Sequence, residues 1–345
     1  MSTMDQTTPA TLDRVIRGEV VYGHQRGRTL GFPTANLRIP DDATLRFGVY
    51  AGRLDGMPAA INVGLRPTFG AADSPTLEAH VLDFAGDLYG REVRVELLEF
   101  VRAERSFDGI DALSRQIGAD REEVRERIAA LDLTASLRVA GAAEALRQGD
   151  AVVLLGSDLG DGSSQLMVAA DHAGAEAVNA MATDARGLIS LALPATQCDR
   201  LGLALQQGRH HDPSGRPFTL SIEARQGVTT GISAEDRAVT IAAAIAADAT
   251  AASVVVPGHV FPLRARNGGT VERLGRPEAA IDLARIAGCS PAAVLCTLLD
   301  DDGEVADRSG ATAFAHARGL LTVTPADVLA HRRHATRHRE TTSRA

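Results

Sequence analysis

Residues 48–63 read GVYAGRLDGMPAAINV, with two short runs of β-type residues, Gly48 to Ala51 and Ala59 to Val63, on either side of a turn residue, Gly56. Similar runs lie outward from it: Val20-Val21-Tyr22 before, Leu77 to Phe84 and Val93 to Phe100 after. Gly27, Gly31, Pro40, Pro67, Gly70, Gly86 and Gly90 punctuate them. Glycine admits backbone conformations that other residues resist, and proline fixes φ, so these positions mark turns. Short strands at this spacing predict a small antiparallel barrel or sandwich. Downstream the period changes. Ile110, Leu113, Ile117, Val124, Ile128 and Leu131 fall near helical spacing, with Asp108 as an N-cap and Gly118 as a break. The first unit is expected to be a β-barrel closed by a helical segment that ends near Leu131.

From Leu137 onward the pattern is α+β. Ala140 to Gln148 predicts a helix, Ala151 to Leu155 a buried strand, and Ser157 to Ser164 a loop. Helices such as Ala234 to Ala247 then alternate with strands such as Phe218 to Ile222 and Val254 to Val256. A short joint around Asp132 to Ser136 would divide the chain into domains at 12–131 and 137–333. The Arg- and His-rich run from His331 to Arg344 is expected to be a solvated tail, residues 334–345 lying beyond the second domain.

At 345 residues, 45% of them apolar, the chain can form two ordinary domains. All 36 of its lysine-plus-arginine positions are arginine, and the formal charge of -8 argues against general nucleic-acid binding. Cys198, Cys289 and Cys296 have no metal-type spacing and read as reduced thiols. No apolar run approaches the roughly 20 residues of a membrane span, and the first residues carry no signal-peptide pattern. A soluble cytoplasmic protein is expected.

The chemistry is concentrated between Gly23 and Leu37, GHQRGRTLGFPTANL. Gly23, Gly27 and Gly31 give backbone freedom and exposed amides that suit a phosphate lying against the main chain; a tight hairpin would use the same residues. Pro33 fixes the chain before Thr34, and Asn36 follows two residues on, so in an extended strand both side chains share a face. A hydroxyl and an amide oxygen together are neutral hard ligands for a magnesium ion that takes its charge compensation from nucleotide phosphates. Leu77 to Gly90 reads LEAHVLDFAGDLYG and places Glu78 in a strand. A carboxylate there could take a proton from a hydroxyl, as phosphoryl transfer to an alcohol requires, or could be a solvated side chain.

Four blocks in order and spacing, Gly27 to Leu37, Gly48 to Ala51, Ile61 to Gly64 with Arg66 to Phe69, and Glu78 to Gly90, resemble riboflavin kinase. The resemblance runs from about Val15 to Leu131. It implies a six-stranded antiparallel β-barrel with a terminal helix, and an ATP:riboflavin phosphotransferase making FMN and ADP. By the same resemblance Thr34 and Asn36 hold the magnesium of ATP, and Gly23, Arg28 and Gly31 belong to the nucleotide site. Glu78 activates the ribityl 5'-hydroxyl, while Arg102 and Glu104 border the flavin. About a dozen polar residues precede the kinase pattern, so the reaction is expected to stop at FMN.

A second resemblance spans roughly Leu137 to Arg333. Thr229 to Arg237, Pro257 to Ala265 with His259, Arg273, Glu278 to Ala284 and the Asp302-Gly303 turn are similar to 3,4-dihydroxy-2-butanone 4-phosphate synthase. That family implies an acidic run of the type Asp-Asp-Glu-x-Arg-Glu-Asn-Glu-Gly-Asp, which binds magnesium and moves protons along ribulose 5-phosphate. Here the run is Gly156 to Gln165, with Asp161 at the metal-binding glutamate and Ser163 and Gln165 at later acids. Arg276 stands for the metal-binding histidine and Thr297 for the late catalytic glutamate. An arginine offers no lone pair to a metal. Three readings follow for this domain: a scaffold for dimerisation or stability, a flavin- or sugar-phosphate-responsive pocket, or a working synthase within a bifunctional enzyme.

Overall fold

The computed structural model describes residues 14–22, 32–38, 45–66, 74–156, 162–206 and 216–342. The chain divides into two compact units, residues 1–131 and 132–345. In the first unit the strands are β1 (Arg14–Glu19), β2 (Ala35–Arg38), β3 (Gly48–Leu54), β4 (Met57–Arg66), β5 (Ser74–Val81) and β6 (Glu92–Arg102). They form one antiparallel sheet in the order β1-β6-β3-β4-β5-β2. Just past β1, the Val21 N–H donates to the Asn36 carbonyl at 2.8 Å, bridging to β2 and nearly closing the barrel. The expected barrel is the observed one.

Because side chains alternate across a strand, every second residue fills the barrel. Leu37, Ile61, Val63, Leu77, Ala79, Val95 and Leu97 are all 1% exposed or less and form its core. On the outer surface Ala51 and Leu82 pack with Val124 and Ile128 of the helix α1 (Ile110–Gln148). These helical positions are four apart and so lie on one face, flanked by Leu131. Arg125 adds two hydrogen bonds to Asp83, at 2.7 and 3.1 Å, and they hold that carboxyl below its usual range.

The helix departs from expectation. Neither the break at Gly118 nor the joint at 132–136 is present, because α1 runs without interruption from Ile110 to Gln148. A helical glycine costs about 1 kcal/mol against alanine, which burial of a few aliphatic side chains at about 1.5–3 kcal/mol each exceeds. Val124 and Ile128 are buried in the first unit, and Val139, Ala142 and Leu146 in the second. The division between the units therefore falls inside a helix.

The second unit holds β7 (Val152–Leu154), β8 (Gln165–Ala169), β9 (Arg186–Pro194), β10 (Ile222–Ala224), β11 (Val254–Ala265), β12 (Ala293–Leu298) and β13 (Thr322–Val323). They make a mixed sheet in the order β10-β11-β9-β12-β8-β7-β13, with β9–β11 and β7–β13 parallel. Its helices are α2 (Ala175–Asp184), α3 (Ala195–Arg200), α4 (Ala234–Ile245), α5 (Arg276–Ile286), α6 (Arg308–Ala317) and α7 (Pro325–Thr342). Val178 of α2, Ile241 of α4 and Ala311 of α6 belong to one apolar cluster; Leu146 of α1, Ile281 of α5 and Val328 of α7 belong to another. This is the expected α+β domain. The basic run is helical as far as it is described, since α7 continues through Thr342. At its start Thr324 Oγ1 accepts from the Asp327 N–H while Asp327 Oδ2 accepts from the Thr324 N–H, both at 3.0 Å, a reciprocal cap.

All three cysteines are unbridged. Burial pushes the thiols of Cys198 and Cys296 up to about 11, so neither is a nucleophile at neutral pH.

Candidate active site

Strand register decides which residues meet on the barrel. Asn36 of β2 pairs with Glu78 of β5, and Glu78 pairs in turn with Asn62 of β4. Residues directly opposite in neighbouring strands share a face, so Asn36, Glu78 and Asn62 form a row across three strands. Their chain neighbours Leu37, Leu77, Ala79, Ile61 and Val63 point into the core, which sets this row on the outer face. Asn36 is buried, while Glu78 and Asn62 are half-buried. Among the described residues the Glu78 carboxylate forms no hydrogen bond or ion pair. A carboxylate held between two amides, with both oxygens uncommitted, can accept a proton or a hydrogen bond from a ligand hydroxyl.

Thr34 lies just before β2, two residues ahead of Asn36. Asn36 Nδ2 donates to the Thr34 carbonyl at 3.4 Å, a turn-like contact that leaves the amide oxygen to act as an acceptor. On β5, His80 lies two residues beyond Glu78 and is 8% exposed. Its Nδ1 is 2.9 Å from the Pro33 carbonyl, and its ring meets Phe32 edge-on at 5.6 Å. Asn36 and Glu78 are thus paired across strands, Thr34 adjoins them in the chain, and Asn62 and His80 lie beside Glu78. Asn62 lay unassigned in its motif, because sequence gives alternation within a strand but not register between strands. His80 was detectable in principle, being one period from Glu78.

Glu104 follows β6, and its carboxylate lies directly over Gly64: a Cβ there would stand 2.1 Å from Glu104 Oε1. A side chain at 64 would displace the end of Glu104 from this place. Gly64 is one period from Asn62, so Glu104 sits over the same outer face. Arg102 is committed elsewhere. Its Nε and Nη2 donate to the two carboxylate oxygens of Asp120 at 2.8 and 2.5 Å, and Nη1 donates to the Ala103 carbonyl. Gln116 completes the grip on Asp120 at 2.8 Å. Gly23, Arg28 and Gly31 lie outside the described residues.

In the second unit, the described positions that the synthase resemblance assigns to metal and acid groups are joined to one another by hydrogen bonds. Gln165 Nε2 donates to Ser163 Oγ at 3.1 Å, and Thr297 Oγ1 is 3.2 Å from Gln165 Oε1. Arg276 Nη1 donates to the Ser163 carbonyl at 3.0 Å. Glu278, fully buried, accepts from Arg273 Nε at 2.8 Å and the Arg266 N–H at 2.7 Å. His259 pairs with Glu223. Asp236 accepts from the N–H groups of Thr229, Thr230 and Gly231, which fixes the Thr-Thr-Gly turn. Asp161 lies outside the described residues. Among the described residues no group of three or more His, Cys, Asp or Glu side chains is arranged to hold a metal ion. The donor set of the described residues does not fit a two-carboxylate magnesium site. No described helix is long and apolar enough to cross a membrane.

A family model described as riboflavin kinase matches residues 12–128, and one described as 3,4-dihydroxy-2-butanone 4-phosphate synthase matches residues 140–331. The synthase of Pseudomonas aeruginosa is 46% identical over 189 residues, 55% of this chain and 52% of that protein. That of Cupriavidus pinatubonensis is 45% identical over 197 residues, 57% of this chain and 88% of its own length. The chain spans about half the length of the first curated relatives it matches. Among solved structures, RibBX, a two-domain 3,4-dihydroxy-2-butanone 4-phosphate synthase from A. baumannii, has a TM-score of 0.52 at 39% identity, covering 55% of this chain and 56% of that one. A synthase in complex with two magnesium ions has a TM-score of 0.52 at 33% identity, covering 55% of this chain and 94% of that one. With more than half of its residues matched by the synthase model, the chain belongs to the 3,4-dihydroxy-2-butanone 4-phosphate synthase family, and it carries a riboflavin kinase domain ahead of that match.

Proposed function

We propose that the barrel transfers the terminal phosphate of ATP to the 5'-hydroxyl of riboflavin, giving FMN and ADP. One observation carries this reading: Glu78, unpaired among the described residues, stands between Asn62 and Asn36, the latter two residues along the chain from Thr34, within a unit matched by the riboflavin kinase model. Glu78 takes the proton from the attacking hydroxyl as the bond to phosphorus forms. Thr34 Oγ1 and Asn36 Oδ1, neutral oxygens two residues apart, fit a magnesium ion and would hold it. When bound, the ion neutralises charge on the nucleotide phosphates. Gly23, Arg28 and Gly31 take part in the nucleotide side. Glu104 lines the flavin side, with Arg102 steadying that rim through Asp120. Purified protein given riboflavin, ATP and magnesium should yield FMN on chromatography, and its absence would overturn the reading.

Two outcomes follow from this geometry. Thr34→Ala and Asn36→Ala should each weaken magnesium–ATP by about tenfold, the scale of one lost contact near 1.4 kcal/mol. Riboflavin affinity should hold in both. Calorimetric titration of each ligand checks this; riboflavin lost with ATP kept would mean the metal side is misplaced. A fragment ending at Asp132 keeps six strands and the Val124, Ile128 and Leu131 face of α1, so it should fold and make FMN. A fragment that stays unfolded would mean the second unit completes the barrel's stability.

The second unit is not, in this reading, a working synthase. Kinship favours a bifunctional enzyme, since the relatives are named for the synthase reaction. Against it stand Arg276, Ser163, Gln165 and Thr297, whose mutual hydrogen bonds replace carboxylates and a metal-binding imidazole. The unit serves instead as a scaffold, dimerisation included, or as a pocket for a flavin or sugar phosphate.

A further inference from the structure

His80 has one nitrogen used and one orphaned. Nδ1 meets the Pro33 carbonyl at 2.9 Å, and a carbonyl can only accept, so Nδ1 carries the proton. In the neutral ring Nε2 is then a bare acceptor. It is buried, and among the described residues no partner reaches it. Buried polar atoms in folded proteins are almost always paired, so an orphan on a candidate site asks for a reason. Packing alone gives none, because a phenyl ring would fill the same place beside Phe32 without stranding a nitrogen.

The position supplies the reason. Register sets Asn36 opposite Glu78 and Ala35 opposite Ala79; the pairing ends there, with Thr34 next before Ala35 and His80 next after Ala79. The contact to Pro33 falls on the residue immediately before Thr34. It ties the start of the Thr34–Asn36 segment to the strand that carries Glu78, across 47 residues of sequence. We infer that His80 is a positioning residue of the phosphotransfer site: its Nδ1–H fixes the segment bearing Thr34 and Asn36 against Glu78, and its Nε2 gains a hydrogen bond from an O–H donor when the site fills. The inference rests on the kinase reading for its consequence, though the Pro33 contact stands without it.

Two substitutions separate the nitrogens. In His80→Asn the side-chain amide sits where Nδ1 was, keeping a donor for Pro33 and deleting Nε2. In His80→Gln the amide reaches the Nε2 position and abandons Pro33. His80→Asn should bind magnesium with the imido analogue of ATP within about threefold of the parent, and His80→Gln about tenfold more weakly or worse. Equal losses in both variants, or none in either, would overturn the positioning role. If a variant fails to fold, histidine nitrogen NMR on the unsubstituted protein decides. The free protein should show His80 as the Nδ1–H tautomer, and its Nε2 resonance should move on saturation with riboflavin or with the magnesium–nucleotide analogue, each added alone to identify the donor. An Nε2–H tautomer, or an Nε2 resonance unmoved by either ligand that binds, refutes the inference. A parent that binds neither ligand refutes the kinase reading, while the tautomer of the free protein still tests the Pro33 contact.

Discussion

Replacing Glu78 by Gln should lower FMN formation by about two to four orders of magnitude, the usual worth of a positioned general base, while riboflavin still binds. The substitution preserves shape and hydrogen-bonding reach and removes only the ability to take a proton. Its neighbours make it a clean test. Glu78 has no ion pair or hydrogen bond among the described residues to lose, and Asn36 and Asn62 on either side are neutral, so no buried charge is stranded. Stability should stay close to that of the parent, which thermal unfolding can verify. Single-turnover measurement of phosphate transfer, with riboflavin affinity measured separately by fluorescence, gives the result. Turnover within tenfold of the parent would remove Glu78 from the role of base. Loss of riboflavin binding in step with turnover would make it a binding residue instead.

Much of the barrel was legible because its strands obey a two-residue period bounded by glycine and proline. The helix was less so. Gly118 and the polar stretch near Asp132 looked like breaks, and local propensity does favour an end there. Yet the helix is held from both sides of the boundary, by Val124 and Ile128 in one unit and by Val139 and Leu146 in the other, and tertiary burial overrides the local signal. The site divides along the same line. Thr34, Asn36 and Glu78 lie in short motifs and could be picked out from the chain. Asn62 and His80 acquire meaning only from register, which depends on how strands pair, and pairing is not written in any one strand. Arg102 shows the reverse. Its motif suggested a ligand contact, but Asp120, eighteen residues on, takes the guanidinium.

The second unit should release no formate from ribulose 5-phosphate above a control without protein, with or without magnesium. The synthase reaction, as the resemblance implies it, needs carboxylates to hold a divalent ion and to move protons. At Arg276 a guanidinium stands in place of an imidazole; its positive charge repels a cation and it offers no lone pair. Thr297 Oγ1 and Gln165 spend their polar atoms on each other, and Gln165 also donates to Ser163. Restoring Arg276→His together with Thr297→Glu should therefore still give no activity, because Ser163 and Gln165 remain where acids belong. Nor can the first acid of the run be restored simply. A Cβ at Gly156 would stand 1.8 Å from the Gly162 carbonyl oxygen, so any side chain there forces the loop's two ends apart. Substitution by Asp at Gly156 should destabilise the unit rather than rebuild it, visible as a lowered Tm. Chelator-sensitive formate release by the unaltered protein would refute this account and make the chain a bifunctional enzyme; formate release by the double variant alone would narrow the deficit to residues 276 and 297.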